Sequence, residues 1–444
     1  MACPDCAVGQ SLGLMLVLFG VTVLELSHVL AVDVDPQQEK YLPDYRLYHN
    51  LTRLELHVEE LATKFKDFIH IDRTFISRNG RSQLVAHITN FSVPSAVTEN
   101  HHAWRPQDEK DGVSQTRNLS VPKVHLLLSF GEHAREFFPV ESALYLLTNL
   151  TAGISANPGS YEEAFSRTIL SRFDIYVIMM ANPDGRKHVE SSRNFCWRGT
   201  STGVDINRNF DWQFAKKGSS ADPRDEEFRG PYPFSEPECK VYTELTESVK
   251  FDAFVSFHSG IRHIYMPYAD TVSKAVRRVP PNYTYLSQLA SRLAKATKYT
   301  FRYGQAFDLN FYTADGTAFD YMAGVRQIPF SLAIEMWENE QHRGRSCFDE
   351  FNPHSAHLQK EVEAVHPLYV ELFNSLYGWK LQQQKTHTLV ETPSLTPSYI
   401  LLAVVVLACA IFGYRNRHYV CSKKKRIVYL RSLSSTFAVN GIFR

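Results

Sequence analysis

Residues 124–136 read VHLLLSFGEHARE and join a continuous apolar run to a cluster of ionisable side chains. An uninterrupted apolar run of this length is typical of a strand that is buried on both faces, as in a parallel sheet covered by helices. Three further runs have the same character: FDIYVIMM at 173–180, FDAFVSF at 251–257 and IPFSLAI at 328–334. We therefore predict four buried strands in one sheet.

Segments with helical spacing alternate with these strands. Four are predicted, at 51–65, 139–150, about 236–249 and 284–297. Ser235 followed by Glu238 has the pattern of a capping box at the start of the third helix. Alternation of strands and helices predicts an α/β fold with a mixed, largely parallel central sheet and helices on both faces.

Length and composition describe a globular chain with no overall charge bias. The chain has 444 residues with 48 Lys and Arg against 47 Asp and Glu, a net charge of +1. This balance gives no general attraction to nucleic acid, and we predict no nucleic-acid partner. Residues 44–380 contain neither a repeat nor a clear linker, so we predict one domain there. A short leader at 32–43 precedes it and a polar stalk at 381–398 follows it.

Two apolar segments near the ends of the chain predict where the protein is located in the cell. The run at 12–24 is too short to span a bilayer and predicts a signal peptide over residues 1–31. The apolar run at 399–414 precedes a basic tail at 415–444, which predicts a transmembrane helix with the tail in the cytoplasm. We therefore predict a type I, single-pass protein of the secretory pathway or cell surface, with its bulk outside the cytosol.

Glycosylation signals and cysteines are consistent with that orientation. Five N-x-S/T triplets precede the apolar run near the carboxyl end, and we expect N-glycans at some of them: Asn50, Asn90, Asn118, Asn149 and Asn282. Three of the seven cysteines would be lumenal, namely Cys196, Cys239 and Cys347. An odd number leaves one unpaired, and Cys196 with Cys239 is the bridge that we expect.

Polar side chains follow each of the four apolar runs. They are residues 131–136 after the first run, 182–185 after the second, 258–260 after the third and Glu335 at the end of the fourth. Ligands of open α/β sheets bind beyond the carboxyl ends of the strands. We therefore expect these groups to converge although they lie far apart in sequence.

His133, Glu136 and His258 form a set of two histidines and one carboxylate. Zinc in hydrolases takes such a set and leaves a further position for water, whose pKa it lowers. Each histidine taken alone is more often a structural or surface residue. Glu335, at the end of an apolar strand, is costly to bury without a partner, so it is either a structural ion-pair residue or a general base.

Eight segments extend this pattern, and with them the chain resembles the zinc metallocarboxypeptidases of the carboxypeptidase A/B type over roughly residues 44–380. All eight occur in the order of that family. They are HARE at 133–136, NPDG at 182–185, CWRGT at 196–200, GVDINRNF at 203–210, GPYPFSEPE at 230–238, FHSG at 257–260, FYTADGTAFDY at 311–321 and AIEMW at 333–337.

The resemblance implies a catalytic centre with one Zn²⁺ per chain. Its ligands would be His133, Glu136 and His258. Glu335 would be the general base, which takes a proton from water and delivers it to the leaving amine. Arg198 would stabilise the tetrahedral oxyanion.

The resemblance also implies how a peptide end is held. Asn207 and Arg208 would grip the C-terminal carboxylate, for which the planar guanidinium is suited. Tyr312 would lie on a mobile loop that closes over the substrate, and Arg135 would be a further substrate-binding residue. Gly260 replaces an aromatic residue of the family, so we expect a more open subsite nearby.

Side-chain preference follows from the residue at the base of the specificity pocket, which the resemblance assigns to Phe319. An apolar residue there, together with Ala333, implies preference for apolar or aromatic C-terminal residues. Asp270 is the competing feature, because a small loop shift would point it into the pocket and favour Lys or Arg.

We therefore expect a membrane-anchored zinc exopeptidase that removes single C-terminal residues from peptides or proteins. The alternatives are a catalytically silent peptide-binding ectodomain, a carboxypeptidase for C-terminal Lys or Arg, and a deacylase on the same scaffold. The A/B enzymes usually carry an inhibitory pro-domain, and residues 32–43 are too few for one, so we expect a form without it.

Overall fold

The computed structural model describes residues 42–93, 121–340, 346–391 and 396–415. It divides into two compact units, Met1–Lys380 and Leu381–Arg444. The predicted signal peptide, the sequon at Asn118 and the predicted cytoplasmic tail beyond residue 415 lie outside the described residues, as does nearly all of the predicted leader.

Eight strands form one mixed sheet in the first unit. They are β1 (Ile69–Asp72), β2 (Val85–Ile88), β3 (Val124–Phe130), β4 (Phe173–Ile178), β5 (Ala253–His258), β6 (His263–Met266), β7 (Arg302–Gln305) and β8 (Phe330–Glu335). The strand order is β1-β2-β4-β3-β5-β8-β6-β7. The four central strands β4, β3, β5 and β8 are parallel, as are β6 and β7, whereas the remaining pairs are antiparallel. This confirms the predicted mixed sheet.

Helices connect the strands. They are α1 (Leu51–Lys64), α2 (Phe138–Ala152), α3 (Tyr161–Arg172), α4 (Pro183–Ser192), α5 (Lys240–Ser248), α6 (Thr271–Ala275), α7 (Tyr283–Ala296), α8 (Ala306–Leu309), α9 (Ala318–Gly324), α10 (Cys347–Phe351), α11 (Leu358–Val365), α12 (Pro367–Glu391) and α13 (Thr396–Arg415). Short 3-10 turns occur at Gly153–Ser155, Ile206–Arg208, Pro237–Cys239 and Ser355–His357.

Both faces of the sheet are covered, as predicted. Alternate residues of β3 enter different apolar clusters: Leu126 and Leu128 pack with α2, whereas Leu127 packs with α5 and α9. Successive side chains of a strand point to opposite faces, so each cluster is the core of one face. The continuous apolar runs reflect this double burial.

The third helix differs from its prediction at its start. A 3-10 turn precedes α5, and Ser235 does not cap a helix. The Ser235 hydroxyl instead accepts a hydrogen bond from Asn209 Nδ2 at 2.9 Å. The capping-box prediction was wrong because this long-range partner takes the hydroxyl.

The disulfide also differs from its prediction. Cys196 bonds Cys347, with 5.0 Å between their Cα atoms, and Cys239 is a buried free thiol. Phe195 and Phe348, the neighbours of the bonded cysteines, pack edge to face in the core with α2. Cys239 belongs to the core on the other face of the sheet. The expected bridge between Cys196 and Cys239 was wrong because the two residues pack on opposite faces.

The second unit contains the end of α12 and the helix α13. Residues 381–391 of the predicted stalk are helical. Among the residues that the structure describes, no helix combines the length and hydropathy needed to cross a membrane. The membrane-spanning segment predicted at 399–414 is therefore not supported.

Candidate metal centre and active site

The predicted functional residues meet at the carboxyl edge of the central strands. His133 and Glu136 lie in the connection between β3 and α2, and His258 is the last residue of β5. Glu335 ends β8 and is paired in register with His258 on the neighbouring parallel strand. Parallel pairing thus brings together residues up to about 200 positions apart in sequence.

His133, Glu136 and His258 form a compact buried cluster. His133 Nδ1 lies 2.7 Å from Glu136 Oε1 and 3.1 Å from His258 Nδ1. His258 Nδ1 lies 3.2 Å from Glu136 Oε2. One candidate ligand atom from each residue lies within 4.8 Å of the other two, and the set can hold a metal ion.

The outer nitrogen of each histidine faces a buried carboxylate. His133 Nε2 lies 3.3 Å from Asp205 Oδ1, and His258 Nε2 lies 3.3 Å from Glu132 Oε2. A neutral ring that carries its proton on Nε2, on the side of this carboxylate, leaves its Nδ1 lone pair for a cation. The two Nδ1 lone pairs and the Glu136 carboxylate then converge without a donor between them. This arrangement of acceptors fits a cation such as Zn²⁺.

Asp205 and Glu132 are buried acids next to the candidate ligands that the sequence reasoning missed. Asp205 stands inside GVDINRNF and Glu132 directly precedes HARE. The available signal was, for Glu132, its position directly before a predicted ligand and, for Asp205, its position inside one of the quoted segments. Although burial alone would raise the pKa of the Asp205 carboxyl, Arg198 and His133 hold that pKa well below its usual range.

Glu335 lies at the same edge of the sheet, with one carboxylate oxygen buried. Its Oε2 atom is buried and has no hydrogen-bond partner among the described residues. Burial, with the Glu136 charge as the second cause, raises the pKa of Glu335 to about 7. A carboxyl group with such a pKa can take up and release a proton near neutral pH.

Arg198 lies beside the metal cluster. Its Nε donates to Asp205 Oδ2 at 2.9 Å, and its NH1 lies 4.0 Å from Glu136 Oε1. The Arg198 carbonyl accepts from Ala134 N at 2.9 Å, and Asn182 Nδ2 donates to the next carbonyl, that of Gly199, also at 2.9 Å. These bonds attach the Arg198 loop to the segments that follow β3 and β4.

Asn207 and Arg208 lie on the 3-10 turn that follows Asp205. Asn207 Oδ1 accepts from Ala318 N at 2.8 Å, which joins this turn to the start of α9. Arg208 NH1 donates to the Asn207 carbonyl at 2.9 Å, and NH2 donates to Glu227 Oε1 at 2.8 Å. The guanidinium is thus held by the chain itself and faces an acidic side chain.

Arg135 contacts the same acidic loop. Its NH1 donates to Glu226 Oε2 at 2.7 Å and to the Cys196 carbonyl at 3.0 Å. The guanidinium also stacks on Phe351, 4.1 Å from the ring centroid. Phe351 lies against Gly260 as well, where a Cβ would be 3.0 Å from the ring. The more open subsite expected at Gly260 was therefore wrong, since Phe351 fills this space.

Tyr312 and Phe319 lie on one segment but differ in exposure. The Tyr312 residue is 57% exposed in the connection between α8 and α9, whereas Phe319 is buried in the first turn of α9. Phe319 shares an apolar cluster with Ala333 of β8. Gly316 lies between Tyr312 and Phe319 in the sequence and has a φ of +72°. A Cβ at this position would be 2.3 Å from the carbonyl oxygen of Arg208. Only glycine fits here.

Asp270 does not offer a free carboxylate to a pocket. It is fully buried and caps α6, accepting from Ser273 N through Oδ1 at 2.7 Å. Its other oxygen accepts from Trp212 Nε1 at 2.9 Å. Both oxygens are therefore engaged, and the alternative based on Asp270 as a recognition group for basic residues loses its support.

Comparison with known proteins identifies the family of this chain. A sequence model of the zinc carboxypeptidase family matches residues 54–366. Zinc carboxypeptidase A 1 of Anopheles gambiae is 29% identical over 269 residues, covering 54% of this chain and 59% of that protein. Carboxypeptidase A1 of Rattus norvegicus is 31% identical over 223 residues, covering 46% and 49%. The chain spans about half the length of the curated relatives it matches.

Solved structures share the fold. The carboxypeptidase A from Helicoverpa armigera superposes with a TM-score of 0.59 at 20% identity, covering 80% of this chain and 81% of that one. Thrombin activatable fibrinolysis inhibitor gives a TM-score of 0.59 at 19% identity, covering 75% of each chain. The match to the family over residues 54–366 and the α/β fold agree: this chain belongs to the zinc carboxypeptidase family.

Proposed function

We propose that this chain is a zinc-dependent exopeptidase that removes single C-terminal residues from peptides or proteins. The observation that carries the proposal is the convergence of His133, Glu136 and His258 with Glu335 and Arg198 at one sheet edge. The relatives named zinc carboxypeptidase A 1 and carboxypeptidase A1 support the reaction class.

The roles in the reaction follow from charge and burial. Zinc, when bound by the three ligands, supplies a Lewis acid that activates water and polarises the scissile carbonyl. Glu335 takes the proton of the attacking water and transfers it to the leaving amine, because its carboxylate lies beside His258 at the end of the neighbouring strand. The Arg198 guanidinium stabilises the negative charge that develops on the carbonyl oxygen.

Recognition of a chain end needs a cation for the terminal carboxylate. Arg208 supplies the cation and the Asn207 amide a further hydrogen-bond donor, and Gly316 allows the segment that carries Tyr312 to pass close to Arg208. Glu227 occupies one guanidinium edge, so the substrate carboxylate displaces or shares this contact. An exopeptidase preference arises because only a chain end brings a carboxylate to this position.

Apolar or aromatic C-terminal residues are the proposed preference. Phe319 and Ala333 belong to one buried apolar cluster, and both oxygens of the nearby Asp270 are used in internal hydrogen bonds. A charged side chain would lose hydration in such apolar surroundings.

The test is a substrate profile of the purified full chain. Peptides ending in Phe, Leu, Lys and Glu are compared, with zinc content measured in parallel and a chelator added as a control. We expect fastest release of Phe or Leu, loss of release with chelator, and recovery on adding Zn²⁺. Fastest release of Lys would contradict the apolar preference, and zinc binding without release would favour the silent peptide-binding alternative.

The proposed compartment is the secretory pathway or the cell exterior. The Cys196–Cys347 disulfide supports it, because such bonds persist in oxidising compartments. Sequons at Asn50, Asn90, Asn149 and Asn282 lie on residues that are neither buried nor inside a strand. Mobility before and after glycosidase treatment tests which of them carry glycans.

A further inference from the structure

A buried carboxylate without an assigned role lies directly behind His258. Glu132 is 1% exposed and divides its two oxygens between different partners. Oε2 lies 3.3 Å from His258 Nε2. Three hydroxyl oxygens lie within hydrogen-bond distance of Oε1, those of Ser129 at 2.8 Å, Tyr242 at 2.9 Å and Ser256 at 2.8 Å.

The direction of these hydrogen bonds determines the tautomer of His258. An ionised carboxylate only accepts, so Ser256 donates its single proton to Glu132. The Ser256 oxygen also lies 2.7 Å from His258 Nε2, where it then has to accept. His258 Nε2 therefore carries a proton, and the free lone pair of the ring is on Nδ1, the atom that faces His133 and Glu136.

We propose that Glu132 is a positioning residue of the metal centre, which orients His258 through Ser256 and increases its affinity for the metal. The inference rests on the proposed function, because it assumes that the same three residues bind zinc. The negative charge behind the imidazole makes Nδ1 a stronger donor to a cation, and the hydrogen bonds keep the ring from rotating.

The cost of burying Glu132 argues against a role in packing alone. Removing a carboxylate from water costs several kcal/mol, and an apolar side chain of similar size would fill the same volume without that cost. His133 has the same arrangement on its other side, with Asp205 3.3 Å from Nε2. Each histidine of the cluster is thus supported by its own buried acid.

The test is the zinc affinity of the full chain with Glu132→Gln, measured by competition with a chromophoric chelator. The amide has the shape of the carboxylate, but it lacks the charge and presents an N–H group to partners that are themselves donors. We expect the zinc dissociation constant to rise by about 10–100-fold. We also expect the visible spectrum of the Co²⁺-substituted variant to change, because the histidine ligand is reoriented.

Tyr242→Phe is the matched control. It deletes one hydrogen bond to Glu132 Oε1 but leaves both groups that face His258 Nε2 in place. We expect its zinc affinity to stay within about twofold of the parent, with an unchanged Co²⁺ spectrum. An equal loss of affinity in both variants would overturn the inference in favour of general destabilisation.

The outcomes separate this inference from the proposed function. A parent chain that binds zinc and a folded Glu132→Gln variant of equal affinity would overturn the role of Glu132 alone. A parent chain that binds no zinc would overturn both. If Glu132→Gln does not fold, Ser256→Ala is the variant that tests the role of Glu132, since it deletes the hydroxyl between Glu132 and His258. We expect at least a threefold rise in its zinc dissociation constant, and an unchanged value overturns the inference.

Discussion

Removal of the Cys196–Cys347 disulfide should destabilise the catalytic unit strongly. The two cysteines are 151 positions apart. In the chain-entropy description, a cross-link that closes a loop of this length lowers the entropy of the unfolded chain by an amount worth about 5 kcal/mol at 25 °C. Measured losses are often smaller, so we expect the free energy of unfolding to fall by about 2–5 kcal/mol in a Cys196→Ala, Cys347→Ala variant.

The assay is urea unfolding followed by tryptophan fluorescence, with and without a reducing agent. The parent should lose stability on reduction, whereas the double variant should not respond. Cys239→Ala is the matched control, because it also removes a buried thiol but leaves the bridge intact. Its cost should be about 1 kcal/mol, from lost packing, and its stability should still fall on reduction.

Two results would refute this reasoning. The first is a double variant whose free energy of unfolding lies within about 1 kcal/mol of that of the oxidised parent, because such a loss is smaller than that expected for a native disulfide. The second is a Cys239→Ala variant that no longer responds to the reducing agent, which would mean that Cys239 forms the bridge. Peptide mapping of the non-reduced protein checks the pairing directly.

Further predictions concern the reaction itself. Glu335→Gln should keep its zinc and lower kcat by about 10²–10⁴-fold on a peptide ending in Phe; loss of zinc along with activity would refute a role as base. Burial and the Glu136 charge raise the pKa of Glu335 to about 7. The positive charge of bound zinc lowers this pKa again. Only the deprotonated carboxylate can act as a base. In a pH–rate profile, kcat/KM should therefore fall as the pH drops through a value at or below about 7; a flat profile there would contradict this. Glu227→Gln removes the charge that competes with a substrate carboxylate for Arg208 and should lower KM severalfold with kcat unchanged, whereas exposed Glu244→Gln should change neither.

Much of the site was predictable because its signals are local in sequence. The apolar run of β3 leads directly into His133 and Glu136, and that of β5 ends at His258. Because parallel strands place their carboxyl ends at one edge, the meeting of these residues with Glu335 followed from the pattern. The structure brings all four together as that pattern predicts.

Long-range partners were not predictable in the same way. A thiol, a hydroxyl or a carboxylate offers no local sign of which distant group it will meet. Cys196 was therefore matched with the wrong cysteine, and Ser235 was given a capping role although it bonds Asn209. The space at Gly260 was expected to be open, but Phe351 from a distant helix fills it.

The sequence by itself determined the α/β architecture, the family and the identity of the candidate ligands, because apolar periodicity and contiguous motifs are properties of the chain alone. Only the tertiary structure decided which acids lie next to the two histidines and which cysteines bond. It also showed that both carboxylate oxygens of Asp270 accept hydrogen bonds from within the chain. These outcomes depend on distances between segments far apart in the chain, which are set when the two cores pack against the sheet.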